Sequence, residues 1–410
     1  MALVRPFRAL RPKPDAARAV SAVPYDVVST NEARSLAAGN PLSFLHVSRA
    51  EINLPPHTDP YADVVYETAS ANLDRLIRDA PLVVEETPSL YLYRLRTADH
   101  EQTGLAGCYS LDEYDRSEIR QHERTRPDKE NDRTRHLLAL HAQTGVVFLT
   151  FRAMAETAAI MQQVRCNDPL FDIETPDGVC HTIWRLSPDD QIAAVAAFDH
   201  VGVLYIADGH HRIASAARAR DQLASSGGDN SDMESQFVLG VAFPDSEMRI
   251  QAYNRVLTDL AGQTPEQFLE AVRTQFEVRG NANPIPSKGH VSMYLKGSWY
   301  DVDLSLSIAP DGSRCEVDHL DVAVLQEQLL QPMLKVRDIR TDSRVTFVGG
   351  VRGTDELARL VNTGKAAVAF SLAPVTTEEL FAVSDAGDIM PPKSTWFEPK
   401  LRDGLLIHQV

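Results

Sequence analysis

Little in this sequence marks a membrane, secreted or zinc-binding protein. Four cysteines, Cys108, Cys166, Cys180 and Cys315, are spread over 410 residues with no C-x-x-C pair. That excludes a zinc ribbon and a disulfide framework and leaves free thiols, the state expected in a reducing cytosol. Long apolar runs are missing too. The best stretches, Val146 to Phe151 and Ile192 to Phe198, last under two helical turns, too short to span a bilayer. The first twenty residues carry Arg5, Arg8, Arg11, Lys13 and Arg18, but Pro6, Pro12 and Pro14 interrupt them and no apolar segment follows. This does not read as a secretory signal, and a cytoplasmic location without a membrane partner is expected. Positive charge is also short. Lys and Arg number 41 against 57 Asp and Glu, a net −16, so the long-range field repels polyanions and nucleic acid is disfavoured as a partner. No H-E-x-x-H occurs, and His136 and His141 are five apart, off the helical zinc spacing, which disfavours a metal hydrolase. No G-x-S-x-G elbow is present.

What remains is ordinary in composition, 43% hydrophobic and 24% charged, and at roughly 150 residues per domain the length points to two or three compact units. A Pro-rich extended start ends at Pro24-Tyr25-Asp26-Val27, and a helix begins near Ser29 or Thr30. Val64, Val65, Ala69, Leu73, Leu76 and Ile77 lie at helical spacing within Tyr61 to Arg78. Leu90 to Leu95 and Leu105 to Ser110 read as a hairpin. The middle third offers strands at Val146 to Phe151, Val201 to Ile206 and Phe237 to Phe243, a helix at Ile213 to Ala224, and a flexible loop at Ser225 to Ser235. The last third offers helices at Pro265 to Phe276, Val322 to Leu330, Thr354 to Val361 and Thr377 to Val383. Its strands are expected near Val291 to Lys296, Trp299 to Leu304, Val345 to Gly350 and Ala366 to Ser371. Strands alternating with helices predict a mixed α/β (α+β) architecture.

Three constellations can carry chemistry. The sharpest is Asp208-Gly209-His210-His211-Arg212, where a strand turns into a helix. A helix start exposes N–H groups and a positive dipole end, and Gly209 lets a phosphate approach the backbone. His210, His211 and Arg212 add donors and charge, and Asp208 is the one candidate metal ligand, for Mg²⁺ at phosphate oxygens. An ordinary N-cap with packed or solvated histidines accounts for the same residues equally well. The second is His122-Glu123-Arg124-Thr125 followed by Lys129, Asp132, Arg133 and His136. If a helix starts after Pro127, those last four form one polar stripe, and Glu123, in the loop before it, is placed to act as a general base with His122 beside it. A solvated, salt-bridged helix face is the competing reading. The third is Pro391-Pro392-Lys393-Ser394-Thr395. Gly387 and Lys393-Ser394 have P-loop spacing, but Pro392 replaces the second glycine and has no N–H, which excludes a Walker A loop. Lys393, Ser394 and Thr395 can still reach a phosphate, with a packed C-terminal strap as the alternative.

Taken together, Pro24-Tyr25-Asp26-Val27, His122-Glu123-Arg124-Thr125 with Asp132-Arg133, Asp208-Gly209-His210-His211-Arg212 and Pro392-Lys393-Ser394-Thr395 resemble a bacterial and archaeal family classed as a domain of unknown function. Its middle section is similar to the ParB/sulfiredoxin-like fold, and its relatives with a known reaction are free-serine kinases, which use ADP or ATP. The resemblance implies a central ParB/sulfiredoxin-like region at 111–260, with α/β extensions at 1–110 and 261–410. In those kinases a D-G-H-[TH]-R turn holds nucleotide phosphates and a glutamate in a preceding loop is the base. Carried over, this implies Asp208, Gly209, His210, His211 and Arg212 for phosphate or metal, and Glu123 for the base. Trp396 and Glu398 stand where the resemblance leads one to expect tyrosines, and Ile213 where an aromatic is common.

The expected function is phosphoryl transfer from ATP or ADP, with Mg²⁺, to the hydroxyl of a small amino-acid-like acceptor. Such a reaction needs positioning and charge stabilisation rather than covalent chemistry. The alternative is a nucleotide-responsive regulatory or protein-binding module without catalysis. Sulfiredoxin-like redox chemistry ranks last, because nothing around Cys166 or Cys180 signals an activated thiol. The acceptor and the oligomeric state, a homo-oligomer included, stay open.

Overall fold

The computed structural model describes residues 3–79, 81–225, 234–305 and 315–410, and it is a mixed α/β protein. The chain forms two compact units. One comprises Met1–Gln121, Thr125–Met248 and Pro399–Val410; the other comprises His122–Arg124 and Arg249–Glu398. The 110/111 division read from the sequence falls inside one sheet, because the strand ending at Ser110 pairs with the strand beginning at Phe237.

The first unit is built on a nine-stranded sheet. Its strands are β1 (Val4–Arg5), β2 (Tyr91–Arg96), β3 (Glu101–Ser110), β4 (Ile119–Arg120), β5 (Val147–Phe151), β6 (Phe171–Glu174), β7 (Cys180–Arg185), β8 (Leu204–Asp208) and β9 (Phe237–Pro244). They lie in the order β4-β8-β5-β9-β3-β2-β7-β6, with β1 pairing the last part of β3. The β4–β8 and β5–β9 pairs are parallel and the rest antiparallel. Along β5 and β9 every residue is buried, as expected of strands covered on both faces.

The helices of this unit are α1 (Asp63–Arg78), α2 (Pro127–Leu140), α3 (Ala155–Val164), α4 (Pro188–Asp199) and α5 (His210–Ser225). Ile213, Ala216 and Ala219 of α5 join Val147, Leu149, Leu204, Ile206 and Val238 in the main core. A second cluster places Val65, Ala69, Leu73 and Leu76 of α1 against Phe44, Val47 and Ile407. The helix at Thr30–Ala37 starts where Ser29 predicts, with a complete capping box to Glu32.

The second unit contains an all-antiparallel six-stranded sheet. Its strands are β10 (Tyr253–Leu257), β11 (Glu277–Gly280), β12 (His290–Leu295), β13 (Ser298–Asp303), β14 (Val345–Gly349) and β15 (Val368–Leu372), in the order β11-β13-β12-β15-β10-β14. Helices α6 (Pro265–Gln275), α7 (Gly353–Asn362) and α8 (Thr377–Asp385) follow the predicted positions closely. Leu357 of α7 packs with Val256, Tyr294 and Ala369 of the sheet.

The structure differs from the sequence reading in a few places. The predicted helix at Val322–Leu330 is three pieces: α-helix at Asp321–Val324, a π-helical stretch at Leu325–Leu330 and α-helix again at Gln331–Leu334. Pro332 has no N–H to return to the carbonyl one turn earlier, and the widened turn absorbs that gap. Strands β6 and β7 and helices α3 and α4 carry no strong periodicity and escaped prediction. Residues 226–233 of the predicted loop lie outside the described residues. The four cysteines are free. Among the described residues no helix is long and apolar enough to cross a membrane.

Candidate phosphate site

Strand β8 ends at Asp208 just after a register irregularity between Ile206 and Asp208, the kind of kink that re-aims a side chain at a strand end. Gly209 follows with φ +98°, in the region that favours glycine, and its carbonyl accepts the N–H groups of Arg212 (2.9 Å) and Ile213 (3.2 Å) to open α5. The turn and helix start are therefore as the motif implies.

Charge gathers around this turn. Lys400, from the C-terminal segment of the same unit, donates to Asp208 Oδ2 at 2.8 Å. Lys400 and Arg212, with a hydrogen bond from Lys400 and a smaller contribution from His210, outweigh burial and hold the Asp208 carboxyl well below the usual range. Arg212 donates through Nη1 to the Val146 carbonyl (2.9 Å) and through Nη2 to Asp26 (3.2 Å). Burial opposes its charge, but Asp26 and Asp208 more than offset it and raise its pKa. Two guanidinium groups lie over the Tyr25 ring, Arg133 at 4.1 Å and Arg212 at 5.6 Å from its centroid. Arg133 in turn binds Asp132 (2.8 Å), whose other oxygen accepts the Tyr66 hydroxyl (2.8 Å).

A small cavity beside the turn is lined in part by Tyr25, Ser48, Arg133, Gly145, Arg212 and Asp403. Arg212 Nε and Ser48 Oγ are buried there with no hydrogen-bond partner among the described residues, and an unmet buried donor costs about 1–3 kcal/mol. Gly145 leaves this space open: a Cβ there would meet Arg212 Cδ at 3.1 Å. Burial pushes the Asp403 carboxyl up to about 7, against the pull of Arg212 and with the help of Asp26.

The raised Asp403 value fixes a sign. Between an unfolded carboxyl near pH 4 and a folded one near pH 7 the native state holds the extra proton, so its contribution to stability falls as pH rises through that window. Asp403→Asn is expected to stabilise the protein by about 2–3 kcal/mol more at pH 8 than at pH 5. Urea denaturation of both proteins at the two pH values measures this, and an equal effect at both would remove Asp403 as a titrating group.

The structure brings Asp208, Gly209, His210, Arg212 and Arg133 into one region of the first unit. His210 is buried. His211 turns toward α2, accepting the Arg126 N–H at Nε2 (3.0 Å), which leaves that nitrogen unprotonated. Lys129 turns to the Tyr61 hydroxyl (2.9 Å) and does not join the turn. The polar stripe on α2 is packed inward: Asp132 and His136 are both buried. His136 meets the Val47 carbonyl (3.1 Å), and burial pushes it down to about 3, a neutral packing histidine.

His122 and Glu123 belong to the second unit, as do Lys393, Ser394 and Thr395. There His122 Nε2 lies 3.3 Å from Thr395 Oγ1, and its carbonyl accepts the Met390 N–H at 2.8 Å. Sequence reasoning missed the roles of Lys400, Asp26 and Asp403. Asp26 lay within a quoted motif, whereas Asp403 has no local signature. Among the described residues no group of three or more His, Cys, Asp or Glu is arranged to hold a metal.

Solved structures resemble the chain weakly. SbnI from Staphylococcus aureus, with a C-terminal truncation, is 12% identical at a TM-score of 0.39, covering 73% of this chain and 85% of that one. A free serine kinase in complex with AMP is 10% identical at 0.36, covering 73% and 91%. A conserved hypothetical protein from Pyrococcus furiosus is 12% identical at 0.34, covering 73% and 94%. The comparison with curated proteins gave no match. A family model does match residues 4–323, that of the protein of unknown function DUF1015, and the chain belongs to this family.

Proposed function

We propose that the protein transfers a phosphoryl group from a nucleotide, ATP or ADP, to the hydroxyl of a small amino-acid-like acceptor. The observation that carries this reading is the β8–α5 turn. It combines a helix start, a glycine at positive φ and the cations Lys400 and Arg212, with Arg133 over the same Tyr25 ring as Arg212. Stabilising the charge of a transferring phosphoryl group requires such fixed donors. Lys400 and Arg212 would hold the phosphate oxygens, and the resemblance to free-serine kinases gives Glu123 the role of base. The acceptor oxygen forms the new bond to phosphorus as the bond to the nucleotide's leaving oxygen breaks, and the acceptor proton passes to a general base.

Mg²⁺ fits as a passenger of the nucleotide. Asp208 offers a hard oxygen, but Lys400 already occupies one side of the carboxylate, and among the described residues no cluster of three or more His, Cys, Asp or Glu completes a metal site. A magnesium ion that keeps its waters and phosphate oxygens needs only one or two protein carboxylates. Asp208 would hold it, and its chemistry there is to neutralise phosphate charge.

A second reading rests on the Lys400–Asp208 pair. A phosphate that drew Lys400 from Asp208 would loosen the segment Pro399–Val410, as expected of a nucleotide-responsive regulator. Phosphorus NMR separates the two, using purified protein, Mg²⁺, ATP or ADP and a pool of hydroxyl-bearing amino acids and small alcohols. A new phosphoester resonance that grows with time is the expected result. Nucleotide line-broadening without product favours the regulator, and unperturbed nucleotide spectra would sink both.

A further inference from the structure

Arg255 on β10 is 1% exposed, yet it has no carboxylate partner among the described residues. Its guanidinium donates to two main-chain carbonyls, those of Tyr253 and of Pro392 (3.3 Å), and stacks 5.1 Å from the Phe347 ring. Other arginines of low exposure differ: the buried Arg402 meets Asp177, and the half-buried Arg133 and Arg212 meet Asp132 and Asp26. A guanidinium taken out of water without a counter-ion is costly, and its field is weakly screened. Burial accordingly lowers the Arg255 pKa, with only Tyr253 acting against it.

The Pro392 carbonyl that Arg255 holds belongs to the Pro391–Thr395 loop. Lys393 follows the carbonyl that Arg255 holds and adopts φ +59°, a left-handed conformation that costs a residue with a Cβ roughly 1–2 kcal/mol. Such strain persists where the surroundings enforce it, often at ligand clamps. Lys393 Nζ lies 5.6 Å from the Tyr253 ring centroid, and Tyr253 is edge-on to Trp396 at 5.1 Å. The Ser394 hydroxyl is committed to the Pro391 carbonyl at 2.6 Å. The loop's far end is pinned where Trp396 and Phe397 pair with Ile250 and Gln251.

We propose that the Pro391–Thr395 loop of the second unit binds the oxyanion of a small molecule, a phosphate or a carboxylate. Lys393 and the Thr395 hydroxyl meet it, and Arg255 supplies the compensating charge from beneath. Ser394, whose hydroxyl proton goes to the Pro391 carbonyl, takes no part, whereas the Thr395 oxygen can accept from His122 Nε2 (3.3 Å) and still donate its proton to the anion. This proposal does not depend on the reading of the β8–α5 turn.

The test is calorimetric titration with inorganic phosphate and, separately, acetate, at constant ionic strength. The full chain carries Lys400→Met, which removes one cation from the first-unit turn and weakens anion binding there. Saturable binding of at least one of the two anions is expected, and which one binds names the ligand group. Adding Lys393→Met, an exposed substitution with little folding cost, is expected to weaken it at least tenfold. Arg255→Met is expected to do the same, while Arg255→Lys, which keeps the charge but cannot hold both carbonyls, retains most of the affinity. Equal loss in both Arg255 variants would reduce Arg255 to a loop brace and overturn its part. If Arg255→Met does not fold, Lys393→Met decides alone. Neither anion binding to folded Lys400→Met protein, or unchanged affinity in Lys393→Met, overturns the proposal. If phosphate binds the unsubstituted chain but not Lys400→Met, the first-unit reading stands and this one fails.

Discussion

Arg212→Met is expected to cost about 3 kcal/mol or more of stability, the usual penalty for removing one partner from a buried charge network. The guanidinium is nearly enclosed and answers Asp26 directly, and Asp208 and Asp403 through the field. Without it, Asp403 loses the group that most strongly favours its ionised form. Asp26, Asp208 and Asp403 then share less positive charge, chiefly Lys400 at Asp208 and Arg133 near Asp403. The penalty therefore depends on pH. Near pH 5 Asp403 already carries a proton in the folded state, so less unpaired charge remains; at pH 8 the loss is larger. Urea denaturation at both pH values measures the difference. A variant as stable as the parent at pH 8 would show that Arg212 is not the centre of this network. Arg212→Lys is expected to fall between, because an ammonium cannot serve the Val146 carbonyl and Asp26 at once.

The residues that made this network readable in the sequence are local ones. Asp208, Gly209 and the helix after them form a contiguous strand–turn–helix whose physics is set within a few residues, so motif and structure agree. The same holds for the capped helices at Ser29, Thr264 and Thr376, each with a complete capping box, and for α2, which begins at Pro127 because proline suits a first helical turn. Where order depends on distant partners, the sequence was silent. Strands β6 and β7 are defined by pairing with each other and with β2, and only half of β6 is buried.

The site divides in the same way. Asp26 and Lys400 reach the turn from 182 residues before and 192 after Asp208, and no spacing rule connects positions so far apart. Asp403 is unremarkable in sequence because its property is burial. The α2 stripe shows the reverse. Its periodicity was legible, but whether the polar face meets solvent or the interior depends on partners far away in the chain. Asp132 and His136 are buried because each finds a polar partner inside, Tyr66 and the Val47 carbonyl.

Glu123→Gln and Lys400→Met are expected to separate chemistry from binding. The glutamine keeps the shape of the side chain and removes its capacity to take a proton. A positioned base contributes about 10²–10⁴-fold, so turnover is expected to fall by that factor while nucleotide affinity stays within about twofold. Lys400→Met acts on the ground state. It removes a cation from the phosphate turn and leaves Asp208 facing the incoming phosphates with its own charge less masked. Nucleotide affinity is expected to drop at least tenfold, about 1.4 kcal/mol, and to depend less on ionic strength than in the parent. Calorimetric affinities for ATP and ADP, set beside initial rates from the phosphorus NMR assay, give both quantities on one preparation. The two variants should fail in opposite columns. If Glu123→Gln turns over normally, the base lies elsewhere. Asp403 would be the first residue to examine, because its carboxyl titrates near neutrality beside the same turn. If Lys400→Met binds nucleotide unchanged, the cation at Asp208 serves the fold alone, and the phosphate site must be sought away from β8.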